Sequence, residues 1–345
     1  MLLGGIQNVN RTGRPKLMKA IVYHSYGSPD VLQFTEVAKP APKDDEILIR
    51  VRAASVNPLD WHFMRGEPFI VRLMIGGLLK PKVTRLGADV AGQVEAVGRS
   101  VTQFKPGDEV FGAYRGTFAE YVCAPEERMA RKPANISFED AAAVPVAAIT
   151  ALQGLRDKGR IQRGQKVLVD GASGGVGTFA IQIAKSFGAE VTAVCSTKKL
   201  DTARSIGADH VIDYTRTDFT HSGQHYDLIL GANAYHSILD YRRALSRGGI
   251  YVGTGGGGSQ SIPGILLGML AESLLSLIGG KKFRSVLAKI KKADLDFLKD
   301  LVDAGKIVPV IDRRYPLAAA AEAIRYLEEG HAKGKVVLTL EDDKI

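Results

Sequence analysis

The stretch from Lys166 to Gly177, Lys-Val-Leu-Val-Asp-Gly-Ala-Ser-Gly-Gly-Val-Gly, constrains this chain more than any other. Lys166 to Asp170 is short, apolar and β-branched, which predicts a buried strand. Gly171, Gly174, Gly175 and Gly177 then permit a turn that few other residues could make. From Val176 onward Phe179, Ala180, Ile183, Ala184 and Phe187 recur at spacings of three and four, the pattern of one helix face. Strand, glycine turn, helix is the setting in which a glycine motif takes a dinucleotide. The turn brings main-chain N–H groups and a helix N-terminus to one point, and both favour a pyrophosphate there. Ala172 stands where the first glycine of G-x-G-x-x-G is usual, followed by Gly174 and Gly177. Alanine is small enough for the turn, so this is a variant of the motif. A plain βα turn without a ligand is the other reading of the motif taken alone.

The flanking pattern gives the turn its context. Strands over 166–171, 191–196, 210–213, 227–232 and 249–254 alternate with helices over 175–187, 199–206 and 237–246, which implies a parallel sheet wound on both sides. Before it, residues 18 to about 130 are rich in strands: Glu46–Arg52, Ala88–Val97, Glu109–Phe111 and Gly116–Cys123. These predict a small β-barrel-like domain. Ser137 to Leu155 reads as helix. Val308–Ile311 reads as strand and Leu317–Glu329 as helix, and Lys335–Leu340 as a last strand returning to the first domain. The expected class is therefore α/β. One domain covers 18–140 and 312–345, the other covers 141–311, and residues 1–17 form a disordered tail. A length of 345 residues suits two domains.

Composition excludes several functions. The net charge of +9 is scattered, and no basic run interleaves with aromatics, so a nucleic-acid partner is not expected. Only two cysteines occur, Cys123 and Cys195, far apart and in no Cys-x-x-Cys, so neither a thiol-ligated structural zinc nor a disulfide framework is supported. That usage fits a reducing compartment, and we expect a cytoplasmic protein. Ile262–Ile278 is apolar but broken by Pro263, Gly264, Gly268 and Glu272, short of the ~20 clean residues that span a bilayer. A helix at a site mouth or a dimer face is the simpler reading, and peripheral membrane contact the alternative.

The next strand, Val191–Ser196, bears on which nucleotide binds. NAD-preferring sites carry an acid there for the ribose 2′-hydroxyl. This chain has Ser196-Thr-Lys-Lys199, with two hydroxyls, two cations and no carboxylate, which suits a 2′-phosphate. The expectation is NADPH. Lys198 and Lys199 could also be ordinary residues of the next helix's first turn.

These motifs, together with Tyr26-Gly-Ser-Pro-Asp-Val-Leu32, Ala54-Ser-Val-Asn-Pro-Leu-Asp60, Gly87-Ala-Asp-Val-Ala-Gly92, Lys105-Pro-Gly-Asp-Glu-Val110, Gly116-Thr-Phe-Ala-Glu-Tyr121 and Gly334-Lys-Val-Val-Leu338, carry a resemblance. The chain resembles the medium-chain dehydrogenase/reductase superfamily, in its zinc-independent quinone oxidoreductase branch, similar to zeta-crystallin-like proteins. The resemblance implies a GroES-like catalytic domain, a Rossmann domain and a homodimer. The zinc-bearing branch places a cysteine ligand where Asn57–Asp60 stand and Gly-His-Glu where Gly87-Ala88-Asp89 stands. Without thiol and imidazole ligands, a catalytic tetrahedral zinc is not expected. The implied reaction is NADPH-dependent reduction of quinones or α,β-unsaturated carbonyl compounds, the alternative being an NADPH-binding protein with little turnover. Hydride comes from the cofactor, and donors aimed at the developing oxyanion can stand in for a metal.

The same resemblance implies Asn57 and Asp60 at the nicotinamide, Asn57 as an amide donor and Asp60 as a residue that fixes the loop or binds the cofactor. Asn57-Pro58 also reads as a simple helix start. His62 and Tyr114 are further possible donors. For the cofactor it implies Thr150 beside the nicotinamide and Ser173, Gly174, Gly175 and Val176 at the pyrophosphate. Ser196, Lys199 and Tyr214 fall at the 2′-phosphate. Ala232, Asn233 and Gly253 end two strands, and Lys335 reaches in from the last one.

Overall fold

The computed structural model describes residues 16–74, 77–233, 235–254 and 280–340. The chain divides into two compact units. One holds the chain to Val146, then Ile290–Asp303 and everything from Ile311; the other holds Ala147–Lys289 and Ala304–Val310. The apolar segment 262–278, and the tail before residue 16, lie outside the described residues.

The first unit is built around one long strand. β1 (Leu17–Val22) pairs antiparallel with β2 (Gln33–Ala38). β3 (Glu46–Val56) then pairs antiparallel with both β4 (Asp89–Val97) and β6 (Tyr121–Pro125). β5 (Glu109–Ala113) joins β4 to β7 (Met129–Arg131). Alternate residues of β3 face inward, so Ile47, Ile49 and Val51 pack with Val90, Val94, Val110 and Val122 in one core. The end of β3 serves a second core, where Ala54 and Val56 meet Tyr23, Met64 and Phe118. The expected strand over 116–123 starts only at Tyr121. Gly116 turns the chain at φ +82°, and Ala119 makes a single bridge to Ala20.

Between β3 and β4 lie α1 (Pro58–Arg65) and α2 (Ile70–Met74). The expected helix 137–155 is interrupted. α3 (Phe138–Ala143), capped by Ser137, stops before Pro145, which has no N–H to continue the ladder. α4 (Pro145–Leu152) follows and ends in a wide turn in which Gly159 N donates to Gly154 O at 2.7 Å.

The second unit is the parallel sheet the sequence implies. β8 (Lys166–Asp170), β9 (Glu190–Cys195), β10 (His210–Asp213), β11 (Tyr226–Gly231), β12 (Leu245–Gly253) and β13 (Lys282–Ser285) lie in the order β10-β9-β8-β11-β12-β13. α5 (Gly175–Ser186), α6 (Leu200–Ser205) and α7 (Ile238–Ala244) fall in the crossovers. Leu168, Val194, Ile229, Tyr241, Tyr251 and Phe283 fill its core.

The chain then returns to the first unit. α8 (Lys292–Asp303) buries Leu295, Leu298, Leu301 and Val302. β14 (Ile311–Pro316) takes the place expected of a strand over 308–311. α9 (Ala320–Glu328) leads to β15 (Lys335–Thr339), which pairs parallel with β14 and antiparallel with β3. The fold class is the expected one, α/β, with an antiparallel β-rich unit and a Rossmann-type parallel sheet.

Candidate active site

In the second unit the expected cofactor residues converge on one edge of the sheet. Strand register aligns Asp170 with Val194 and with Gly231, Gly231 with Gly253, and Asp213 with Cys195. Ser173–Val176, Ser196–Lys199, Tyr214, Ala232–Asn233 and Gly253 therefore all lie at, or directly follow, the carboxyl ends of adjacent parallel strands. The strand order changes direction between β8 and β11, and ligands in such sheets bind outside that point. Thr150 is buried in α4 of the same unit, one turn before Gly154, whose added Cβ would meet Leu230 and Thr254.

The turn after β8 is shaped for an anion. Gly171 has φ +77°, open to glycine and strained for other residues. A Cβ on Gly177 would lie 2.2 Å from Gly171 O, so the helix packs directly on the turn. Gly174 is the N-cap of α5 and carries no side chain to close it. The first-turn amides of α5 therefore have no acceptor inside the helix, and no acidic residue stands in that turn. These residues fit a dinucleotide pyrophosphate.

After β9 the residues Thr197–Lys199 form one short 3-10 turn, with Lys199 N donating to Ser196 O at 2.9 Å. Tyr214 N donates to Cys195 O at 3.2 Å, which places Tyr214, 54% exposed, beside that strand end. One expectation is corrected here. The sequence offers no carboxylate after β9, but Asp213, at the end of β10, accepts from Thr197 Oγ1 at 2.5 Å. An acid reaches the turn from the neighbouring strand.

The first unit holds a buried polar cluster. Lys335 Nζ donates to Asn57 Oδ1 at 2.6 Å and lies 3.3 Å from Asp89 Oδ2 and 3.4 Å from Val56 O. Asn57 Nδ2 donates to Asp89 Oδ2 at 2.8 Å and to Ser55 O at 3.3 Å. Ser55 Oγ donates to Asp89 Oδ2 at 2.6 Å, and Val146 N donates to Asp89 Oδ1 at 2.8 Å. Ser55, Asn57, Asp89 and Lys335 are all buried. Lys335, expected among the cofactor residues, is thus placed with Asn57 and Asp89 in the first unit. Both hydrogens of the Asn57 amide are engaged within the protein.

Asp60 ties the start of α1 to the turn at Gly87. Its carboxylate accepts from Asn57 N at 2.7 Å, closing the N-terminus of α1, and from Gly87 N at 3.0 Å. Burial pushes its carboxyl up to about 7, and the nearby Asp89 adds to this, while the Asn57 and Gly87 amides and Lys335 pull it down. His62 stacks on Trp61 and its Nδ1 lies 2.7 Å from Glu67 O; burial lowers its pKa. Tyr114 packs at the edge of the β3 core.

Sequence reasoning quoted Asp89 only as part of a motif and gave Ser55 and Asp213 no role. The Gly87-Ala-Asp run was a signal for Asp89 and the Ala54-Ser-Val-Asn run for Ser55; nothing local pointed to Asp213. The donor set does not fit a tetrahedral zinc. The Asp89 carboxylate already serves four donors, Asn57 and Asp60 are engaged, and no three His, Cys, Asp or Glu side chains gather as metal ligands among the described residues.

The chain matches the family model described as "Alcohol dehydrogenase GroES-like domain" over residues 43–134 and that described as "Zinc-binding dehydrogenase" over 206–338. It is 35% identical to a mitochondrial NAD(P)H oxidoreductase of Mus musculus, over 95% of this chain and 91% of that one. It is 34% identical to a chloroplastic quinone-oxidoreductase homolog of Spinacia oleracea, over 94% and 98%. It is 36% identical to a 2-methylene-furan-3-one reductase of Solanum lycopersicum, over 94% and 79%. Among solved structures, the quinone oxidoreductase of Coxiella burnetii superposes with a TM-score of 0.81 at 28% identity, covering 94% of this chain and all of that one. The cytoplasmic expectation is corrected by the first two of these relatives, which are named mitochondrial and chloroplastic. Sparse cysteines point to a reducing compartment without saying which one. No helix among the described residues is long and apolar enough to cross a membrane. By sequence and by fold the chain is an oxidoreductase of the medium-chain dehydrogenase/reductase superfamily, in its quinone-oxidoreductase-like branch.

Proposed function

We propose that this chain is an NADPH-dependent, zinc-independent reductase of quinones or α,β-unsaturated carbonyl compounds. The observation that carries the reading is the Ser55–Asn57–Asp89–Lys335 cluster, a buried lysine bonded to Asn57 and Asp89, two positions in the motifs where the zinc-bearing branch carries its ligands. Reduced nicotinamide, when bound, supplies the hydride. The residues of the second unit hold the dinucleotide: the open amides of α5 bind its pyrophosphate, and Ser196 and Lys199 favour a 2′-phosphate. Lys335, held by Asn57 and Asp89, keeps a positive charge out of bulk water. A fixed field of that sign lowers the energy of an enolate or hydroquinone oxygen as its charge develops. Asn57 orients the ammonium, and Asp60 holds Asn57 and Gly87 in place. Relatives named quinone oxidoreductase, alkenal/one oxidoreductase and furanone reductase support the substrate class. The homodimer implied by the resemblance goes with this reading, and sedimentation equilibrium tests it.

The test is consumption of NADPH and NADH against a panel of short quinones and alkenals, with zinc measured in the same sample. We expect turnover with at least one of the two classes, a higher kcat/KM for NADPH, and zinc well below one per chain. Lys199→Glu should lower kcat/KM for NADPH by about tenfold or more and leave NADH nearly unchanged. Stoichiometric zinc, or no nucleotide uptake at millimolar concentration, would falsify the proposal.

A further inference from the structure

The turn after β9 is fastened from the neighbouring strand by a negative charge. Asp213 Oδ2 accepts from Thr197 Oγ1 at 2.5 Å, and Oδ1 accepts from Thr215 Oγ1 at 2.7 Å and from Thr215 N at 3.0 Å. The two threonine hydroxyls lie 3.2 Å apart, and Arg216 Nε stands 3.6 Å from Asp213 Oδ2. Parallel register sets Asp213 directly beside Cys195, the residue from which Ser196–Lys199 depart. The Thr197 hydroxyl bond, then that of Thr215, holds the carboxyl below its usual range, so it is ionised at neutral pH.

We infer that Asp213 is a specificity-determining residue for the adenosine ribose of the nucleotide: its charge opposes the 2′-phosphate that Ser196 and Lys199 attract, and so narrows the preference for NADP over NAD. The inference rests on the reading that this turn takes the 2′-phosphate. In NAD-preferring sites the acid comes from the strand end itself and accepts from the 2′-hydroxyl. Here the acid arrives one strand over. Its two oxygens are occupied by threonines, so it makes a poor acceptor for a ribose hydroxyl. Its charge is still present, and Coulomb repulsion does not need a free lone pair. The site therefore carries opposed signals, cations on the turn and an anion beneath it. Thr197 joins them, because its hydroxyl draws the carboxylate inward.

Two substitutions separate charge from support. Asp213→Asn keeps an acceptor for Thr197 or Thr215 and removes the charge. Thr197→Val keeps the shape of the side chain, removes the hydroxyl and frees Asp213 Oδ2. Dissociation constants of NADP+ and NAD+ are measured by calorimetry on the full chain, with thermal unfolding of each protein alongside. The wild type tests the underlying reading, since it should bind NADP+ more tightly than NAD+. In Asp213→Asn the ratio Kd(NAD+)/Kd(NADP+) should rise by about fivefold or more. In Thr197→Val it should fall, with NAD+ gaining or NADP+ losing. An unchanged ratio in Asp213→Asn, or equal weakening of both nucleotides, overturns the inference while the wild-type preference stands. A wild type that does not favour NADP+ overturns the underlying reading and the inference together. If Asp213→Asn fails to fold, Thr197→Val decides: a ratio that does not fall overturns the inference.

Discussion

Asp60 is a carboxyl that burial holds close to neutrality, and this has a measurable cost. Its pKa rises from 3.8 to about 7, first through desolvation and then through Asp89, against the pull of two backbone amides and Lys335. A carboxyl whose folded pKa is raised favours folding while protonated. Its contribution is full below the unfolded value of 3.8 and is lost as pH climbs through about 7. Asp60→Asn does not titrate and keeps one of the two amide contacts. The unfolding midpoint of the wild type relative to Asp60→Asn should therefore be highest near pH 4 and decline toward pH 7.5. Curves that stay parallel across this range would show that the buried carboxyl has an ordinary pKa. None of this was visible in the sequence. Asn57 and Asp60 could be read as a helix start, because that contact spans three residues. The link from Asn57 to Lys335 spans 278 residues and depends on how β15 seats against β3.

At the level of elements, the strand, glycine turn and α5 were legible because every determinant lies within some twenty consecutive residues. The close contact of Gly177 with Gly171 O makes a prediction of its own. Gly177→Ala forces α5 away from the turn and should destabilise the protein by about 1–3 kcal/mol. It should also weaken NADP+ binding by about tenfold or more, as the amides lose their common aim. Unfolding midpoints and calorimetric titration check the two effects, and an alanine variant with wild-type affinity would show that the turn tolerates a shift. Elements with nonlocal causes were harder to read. α8 has Leu295, Leu298, Leu301 and Val302 on one buried face, yet no helix was expected over these residues. The 116–123 segment has strand composition, but its first half is bent by a glycine turn. Asp213 was missed because the acid that matters at β9 comes from the next parallel strand, and pairing between strands is not a local signal.

For the molecule as a whole, each unit has its own apolar cores, so each can unfold as a unit. Calorimetry should show two overlapping transitions in place of one. Saturating NADP+, at about 100 times its Kd, adds about 2.7 kcal/mol to the state that binds it and should raise the second unit's transition more than the first's. Equal shifts, or one transition with matching calorimetric and van't Hoff enthalpies, would count against independent units. The sequence put residues 292–303 in the second domain, and they fall in the first unit; the closing strand at 335–339 was legible. The register that sets Lys335 opposite Asn57 was not. That register has a consequence during biosynthesis. β15 is the last strand described, and its lysine leaves the ribosome 246 residues after Asp89. Until then the emerging polypeptide has a carboxylate with no counter-ion to bury beside it. A message cut short before that codon therefore yields a product that cannot assemble this cluster, however complete its nucleotide-binding half.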